Sequence, residues 1–291
     1  MGYKGPISQR QRRFGEELQR LRTAAGLSAP EAGALVGMKG PAVSHTEAGR
    51  ITLNPDRLET WLDAYGCTDS AYRRGLAEMG QSNGKGWWSE YEGRVPDLSL
   101  DLAELETRAT RFDNFETLYI PGLLQSPAYA EAIYKDAYRN GRWDLATAIQ
   151  FRMDRQQILD SDRQFRFVVH EAALRMQFPG LEAMRAQLAH ILSVAERPNV
   201  TIQILPFTAT KKPPSAGPFV VCNPGCTDLS TIVLDLPGRA EHDGTAESIA
   251  AYGWKFQQLS EIALPAVDAT SLSSSRNSWG LLQYLLYPLQ A

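Results

Sequence analysis

The chain has 291 residues, 43% hydrophobic and 22% charged, with a formal net charge of −3. That composition belongs to a folded globular protein and excludes disordered and collagen-like chains, and the length exceeds what one ordinary core fills, so two domains are expected. Residues 1–80 carry 11 Lys and Arg against 9 Asp and Glu, a net of +2, and the remainder nets −5; the end where a polyanion would be met is the amino-terminal one.

Phe14, Leu18, Leu21 and Ala25 recur at helical spacing and Gly26 stops the run. Ser28 predicts the N-cap of a second helix, with Pro30 and Glu31 in its first turn and Gly37 at its end. A third short helix is predicted from about Pro41 to Ala48. A fourth begins after Asn54-Pro55 and buries Leu58, Trp61, Leu62 and Tyr65, and a fifth begins at Asp69 with Tyr72 and Leu76 inward. Five short helices in about 80 residues make an all-α domain. QSNGKG, 81–86, has the composition of a linker.

Beyond it, helices are predicted from Leu98 to Phe112, in SPAYAEAIYKDAY and in LATAIQFRMDRQQIL. QFRFVV, VTIQIL, PFVVC and STIVLDL read as four short strands, with LEAMRAQLAHILSVAER helical between the first two. A last long helix carries Ile249, Tyr252, Phe256, Leu259 and Ala263 in register. The second domain, 87–267, is therefore α+β with about four strands. A Ser-rich stretch from 268 leads into WGLLQYLLYPLQA. Its leucines are expected to dock on their own domain, the alternative being a subunit or partner contact. Three cysteines cannot all pair, and Cys222 and Cys226 could reach each other across a turn, yet free thiols are the simpler expectation. None of the four histidines stands at ligand spacing from that pair, so no metal site is expected. No apolar run is long enough for a membrane span, which leaves a cytoplasmic protein as the expectation.

The second and third helices around Gly37 have the arrangement of a helix-turn-helix, whose second helix offers its first turn and outer face to the major groove. The matches FGEELQRLR, Leu27-Ser28, Leu35, Gly37 and Val43-Ser44…Glu47-Ala48-Gly49 resemble the Xre-type, lambda-repressor-like family. The resemblance implies that Val43 and Leu35 are core, that Gly49 caps in a left-handed conformation, and that Glu47 is tied to an Arg or a helix terminus. Where the family carries long polar side chains this chain has Gly40, Pro41 and Ala42, and Thr46 replaces an apolar residue. Lys39, Ser44 and His45 remain for base readout, and Arg10, Arg12, Arg13, Ser28 and Arg50 for phosphate contacts.

After the linker, WWSEY, IPGLLQ, VVHEAALRM, the ERPNVTIQILPF run and GPF are similar in order and spacing to the WhiJ-like carboxy-terminal domain that follows a Xre-type unit in actinobacterial regulators. The resemblance covers about residues 8–264. It implies control of development or secondary metabolism and, in many members, a small protein partner. His170, Met176 and the 237–244 segment depart from the family pattern. No catalytic set is expected: His170 and Glu171 are neighbours whose side chains point apart, and Glu171 is better matched to Arg175 one turn on. No cofactor motif occurs. Trp87, Trp88, Tyr91, Phe115 and Tyr119, with His170 and Glu171, are the candidates for a ligand pocket. The expected function is a sequence-specific DNA-binding regulator, homodimeric, whose second domain senses a small molecule or protein. The alternative is a helix-turn-helix derivative with degraded readout whose second domain binds or transforms a biosynthetic small molecule.

Overall fold

A computed structural model describes residues 7–82, 84–137, 141, 143–236, 239–268 and 277–289. They form two compact units, Met1–Ser89 with Pro224–Leu229, and Glu90–Asn223 with Ser230–Ala291.

The first unit holds α1 (Gln9–Ala24), α2 (Ala29–Leu35), α3 (Gly40–Glu47), α4 (Pro55–Ala64) and α5 (Ser70–Gln81). Their starts follow from local chemistry. Ser8, Ser28, Asn54 and Asp69 each accept a backbone N–H of the first turn, and Ser28 and Glu31 close a reciprocal capping box. Helices as short as α2, α3, α4 and α5 do not persist alone in water. They are held by a core of Phe14, Leu18, Val43, Leu58, Trp61, Leu62 and Leu76, completed by Leu229 from the second segment of the unit, each large side chain contributing on the order of 1.5–3 kcal/mol. Leu35 is the exception: it is 57% exposed, because α2 ends there and the following Val36 packs against the core in its place.

The second unit contains α6 (Asp97–Arg108), β1 (Arg111–Glu116), α7 (Pro127–Ala137), α8 (Leu145–Gln156), β2 (Gln164–His170), α9 (Glu171–Arg175), α10 (Leu181–Val194), β3 (Val200–Leu205), β4 (Phe219–Asn223), β5 (Thr231–Leu236), β6 (Arg239–Asp243), α11 (Ala246–Ile262) and α12 (Ser278–Leu286). The sheet order is β3-β2-β1-β4-β5-β6. β1, β2 and β3 run parallel, and β4, β5 and β6 extend the sheet antiparallel from β1. The six strands exceed the four expected by β1 and β6. α6 also stops at Arg108 rather than continuing to Phe112, since Ala109 turns extended and Phe112 enters β1.

Alternation along the strands divides the side chains between two layers. Phe112, Phe165, Phe167, Val169, Ile202, Ile204 and Cys222 join Leu123, Leu124, Leu188 and Ile191 in one core. Phe115, Val168, Leu205, Phe219 and Ile232 meet Phe256 and Leu259 of α11 in the other. The apolar tail belongs to the first of these. Leu282 and Leu286 of α12 are buried there, with Leu281, Leu285 and Leu289 packed alongside, so the tail docks on its own unit. Residues 269–276 of the Ser-rich stretch lie outside the described residues. The three cysteines are free thiols, Cys222 and Cys226 standing in different cores.

Candidate nucleic-acid interface

α2 and α3 are joined by a tight turn in which Met38 N–H returns to the Gly33 carbonyl at 2.8 Å. The amphipathic division of α3 is sharp. Val43, Thr46 and Glu47 are buried, whereas Lys39, Pro41, Ser44, His45 and, just past the helix, Arg50 are exposed. Thr46, polar at a core position, is satisfied by donating its hydroxyl to the Ala42 carbonyl at 3.0 Å, which is how a hydroxyl tolerates complete burial.

Two features fix α3 against α1. Arg22 grips Glu47 with paired hydrogen bonds of 2.6 and 3.0 Å and donates a third, of 2.7 Å, to the Leu27 carbonyl ahead of α2. This is the arginine partner expected for Glu47, and the fork geometry is the strong form of such pairs; it also raises the Arg22 pKa, the Glu47 hydrogen bond outweighing the opposing effect of burial. At Gly15 the backbones touch: a β-carbon there would stand 2.1 Å from the Glu47 carbonyl oxygen, so no other residue fits without displacing α3. Gly49 ends the helix with φ of 73°, the left-handed cap the resemblance implied.

The cations of α1 divide. Arg12 is exposed, with one hydrogen bond to the Ile7 carbonyl. Arg10 is 6% exposed and donates to the Met79 carbonyl at 2.7 Å. Arg13 is 2% exposed, pairs with Glu17, and donates to the Asp228 carbonyl at 3.2 Å. The expectation that Arg10 and Arg13 contact phosphates is therefore corrected: both guanidinium groups are spent inside the unit, where an unpaired charge would be too costly to keep. Glu17 also receives Arg20 and the Tyr72 hydroxyl, and burial beside that carboxylate pushes the Tyr72 phenol far above its usual range. The Ser28 hydroxyl is exposed and engaged by Glu31, whose carboxyl it holds below its ordinary value.

The residues expected to line a ligand pocket belong to separate neighbourhoods. Trp87 and Trp88 lie in the first unit, 6.2 Å apart edge-on. Tyr91 packs on Phe151 and donates to Asp154 of α8, while Phe115 faces the α11 layer. Tyr119 stands on Phe178 at 5.9 Å. His170 shares the Phe115 layer by register; its Nδ1 accepts the Ala172 N–H at 3.1 Å and its ring meets Phe207. Glu171 binds Arg175 at 2.6 Å, as its spacing predicted, and its second oxygen accepts the Phe207 N–H at 2.8 Å. A cleft of about 480 Å³ in this unit is lined by none of them, but by Leu159, Asp160, Gln164, Arg197 and Asn199 among others.

An ionic cluster under the sheet escaped sequence reasoning. Arg155 and Glu106 are both buried and 2.8 Å apart. Nearby, Arg152 binds Tyr134, and burial raises the Glu116 carboxyl to about 7. The i,i+3 spacing of Arg152 and Arg155 on the predicted helix was the available signal; the acidic residues they meet lie on other elements and leave no trace in the local sequence.

A family model described as a helix-turn-helix domain matches residues 13–74, and one described as a domain of unknown function, DUF5753, matches residues 100–273. The chain belongs to the DUF5753 family. Its helix-turn-helix match contains all of α2, α3 and α4, and the DUF5753 match contains the whole six-stranded sheet with α11. No curated protein and no solved structure matches this DUF5753 chain. Among the described residues no helix is long and apolar enough to cross a membrane.

Proposed function

We propose that the chain is a transcription regulator that docks its first domain, residues 1–80, on duplex DNA with the first turn and outer face of α3 in the major groove. The observation that carries this reading is the division of α3: a buried face locked to α1 by Arg22 and Glu47, and an outer face of Lys39, Ser44, His45 and Arg50 without a bulky apolar cover. Lys39, Ser44 and His45 read bases. Arg12 and Arg50 meet phosphates, Arg10 and Arg13 having been removed from that set by their burial and Ser28 by its engagement with the Glu31 carboxylate. The protein works in the cytoplasm as a homodimer, and residues 87–267 sense a small molecule or a small protein. The finer assignment to Xre-type regulators rests on FGEELQRLR and Val43-Ser44…Glu47-Ala48-Gly49, and that of a WhiJ-like second domain on IPGLLQ, the ERPNVTIQILPF run and GPF.

The test is binding to the DNA upstream of its own gene at two salt concentrations. A specific complex that weakens steeply with salt is expected. Lys39→Ala with His45→Ala should relax sequence preference, and Arg12→Ala with Arg50→Ala should weaken all sequences alike. Absence of a sequence-specific complex at low salt overturns the reading. The donor-poor run Gly40-Pro41-Ala42 favours a second reading, a helix-turn-helix remnant whose second domain binds or transforms a biosynthetic small molecule. A ligand retained in native mass spectrometry by a protein that binds no DNA would select it.

A further inference from the structure

The surface that α3 offers first is made of carbon and hydrogen. Pro41 is exposed, Ala42 is partly exposed, and Leu35 at the end of α2 is 57% exposed. Gly40 cannot take a long side chain cheaply, because a β-carbon there would stand 3.2 Å from Pro30 Cα and N. Neither Pro41 nor Ala42 has a side-chain donor or acceptor, Pro41 has no N–H, and the Ala42 carbonyl already accepts the Thr46 hydroxyl. Lys39 at the start, with Ser44 and His45 further along, flanks this patch with polar groups.

In the major groove each base pair shows a different edge. Adenine, guanine and cytosine present donors or acceptors that a dry hydrocarbon contact would strand; thymine alone adds a methyl group, the natural partner of an alanine methyl or a proline ring. We propose that the base pairs facing Pro41 and Ala42 are read through thymine methyl groups, so that each half-site carries thymines there, on either strand. This inference rests on the regulator reading above. It turns the side chains that look like lost specificity into its source. Thymine O4 is left to Lys39, to the Ser44 hydroxyl or to water.

The experiment uses the full chain and a random duplex library. The selected half-site is resynthesised with deoxyuridine in place of thymidine, a change that removes the methyl and keeps the base pair. About fourfold weaker binding per methyl removed is expected at the positions facing Pro41 and Ala42, from the transfer free energy of one buried carbon. Ala42→Gly should erase this discrimination at one position and leave the effect of Lys39→Ala intact. Selected half-sites without thymine, or uracil substitution that changes affinity by less than twofold, overturn this inference while leaving a DNA-binding regulator. Failure to select any sequence overturns both.

Discussion

Glu17 organises the polar side of the first helical core, receiving Arg13, Arg20 and the Tyr72 hydroxyl while only 1% exposed. Glu17→Ala strands Arg13 without its carboxylate and should cost about 3–5 kcal/mol, read from the urea midpoint of the full chain. The i,i+4 spacing of Arg13 and Glu17 was visible in the sequence; what it did not disclose is that the pair faces inward, since a charge has no apolar periodicity to betray its side of a helix. Two single groups set opposite pH dependences. The Glu116 carboxyl is raised to about 7 from 4.5, so its contribution is present below 4.5 and fades as pH rises through 7. Glu116→Gln should remove that fade and gain up to about 3 kcal/mol relative to the parent at pH 8, and little at pH 4. His170 is lowered from 6.5 by burial. The folded ring resists the proton the unfolded ring accepts, so stability holds above 6.5 and declines as pH falls below it. His170→Asn keeps an acceptor for Ala172 N–H and should flatten that decline in thermal melts.

Among the elements, those with caps were legible and the central strand was not. Ser28, Asn54 and Asp69 each fixed a helix start by one side chain accepting one backbone donor. β1 carries Asp113 and Asn114 in its middle, both buried: Asp113 is held by Arg166 of β2, and Asn114 donates to the Phe219 carbonyl of β4 at 3.0 Å. Partners on other strands replace the apolar alternation by which a strand is read, so at the strand that joins the parallel and antiparallel halves the sequence predicts a helix as far as Phe112 and no strand after it. β6, RAEHD at the sheet edge, has almost no apolar residues to announce it. The tail was readable because apolar residues at helical spacing need a core. Leu282→Ala in α12 should destabilise the second unit by about 2–5 kcal/mol, measured by calorimetry, through the cavity left between α12 and α10.

At the scale of the molecule, the charge of −3 conceals a basic beginning and an acidic remainder, and a single eight-residue α3 spans few base pairs. The proposed homodimer answers both limits by joining two half-sites. Inserting five base pairs between selected half-sites turns them to opposite faces of the duplex and should abolish the specific complex; inserting ten should restore much of it. Each phosphate contact removed, as in Arg12→Ala or Arg50→Ala, should lower the slope of log affinity against log salt by about 0.9 per subunit.

The bare touch of Gly15 on the Glu47 carbonyl has a consequence for the partner as well as for the protein. With α1 and α3 in backbone contact and Arg22 bolted across them, the reading helix cannot re-aim to suit an awkward groove. On the proposed reading, whatever bending an operator requires is supplied by the nucleic acid, and pliable TA or CA steps beside the contacted bases should bind more tightly than a stiff A-tract in circular-permutation and affinity assays.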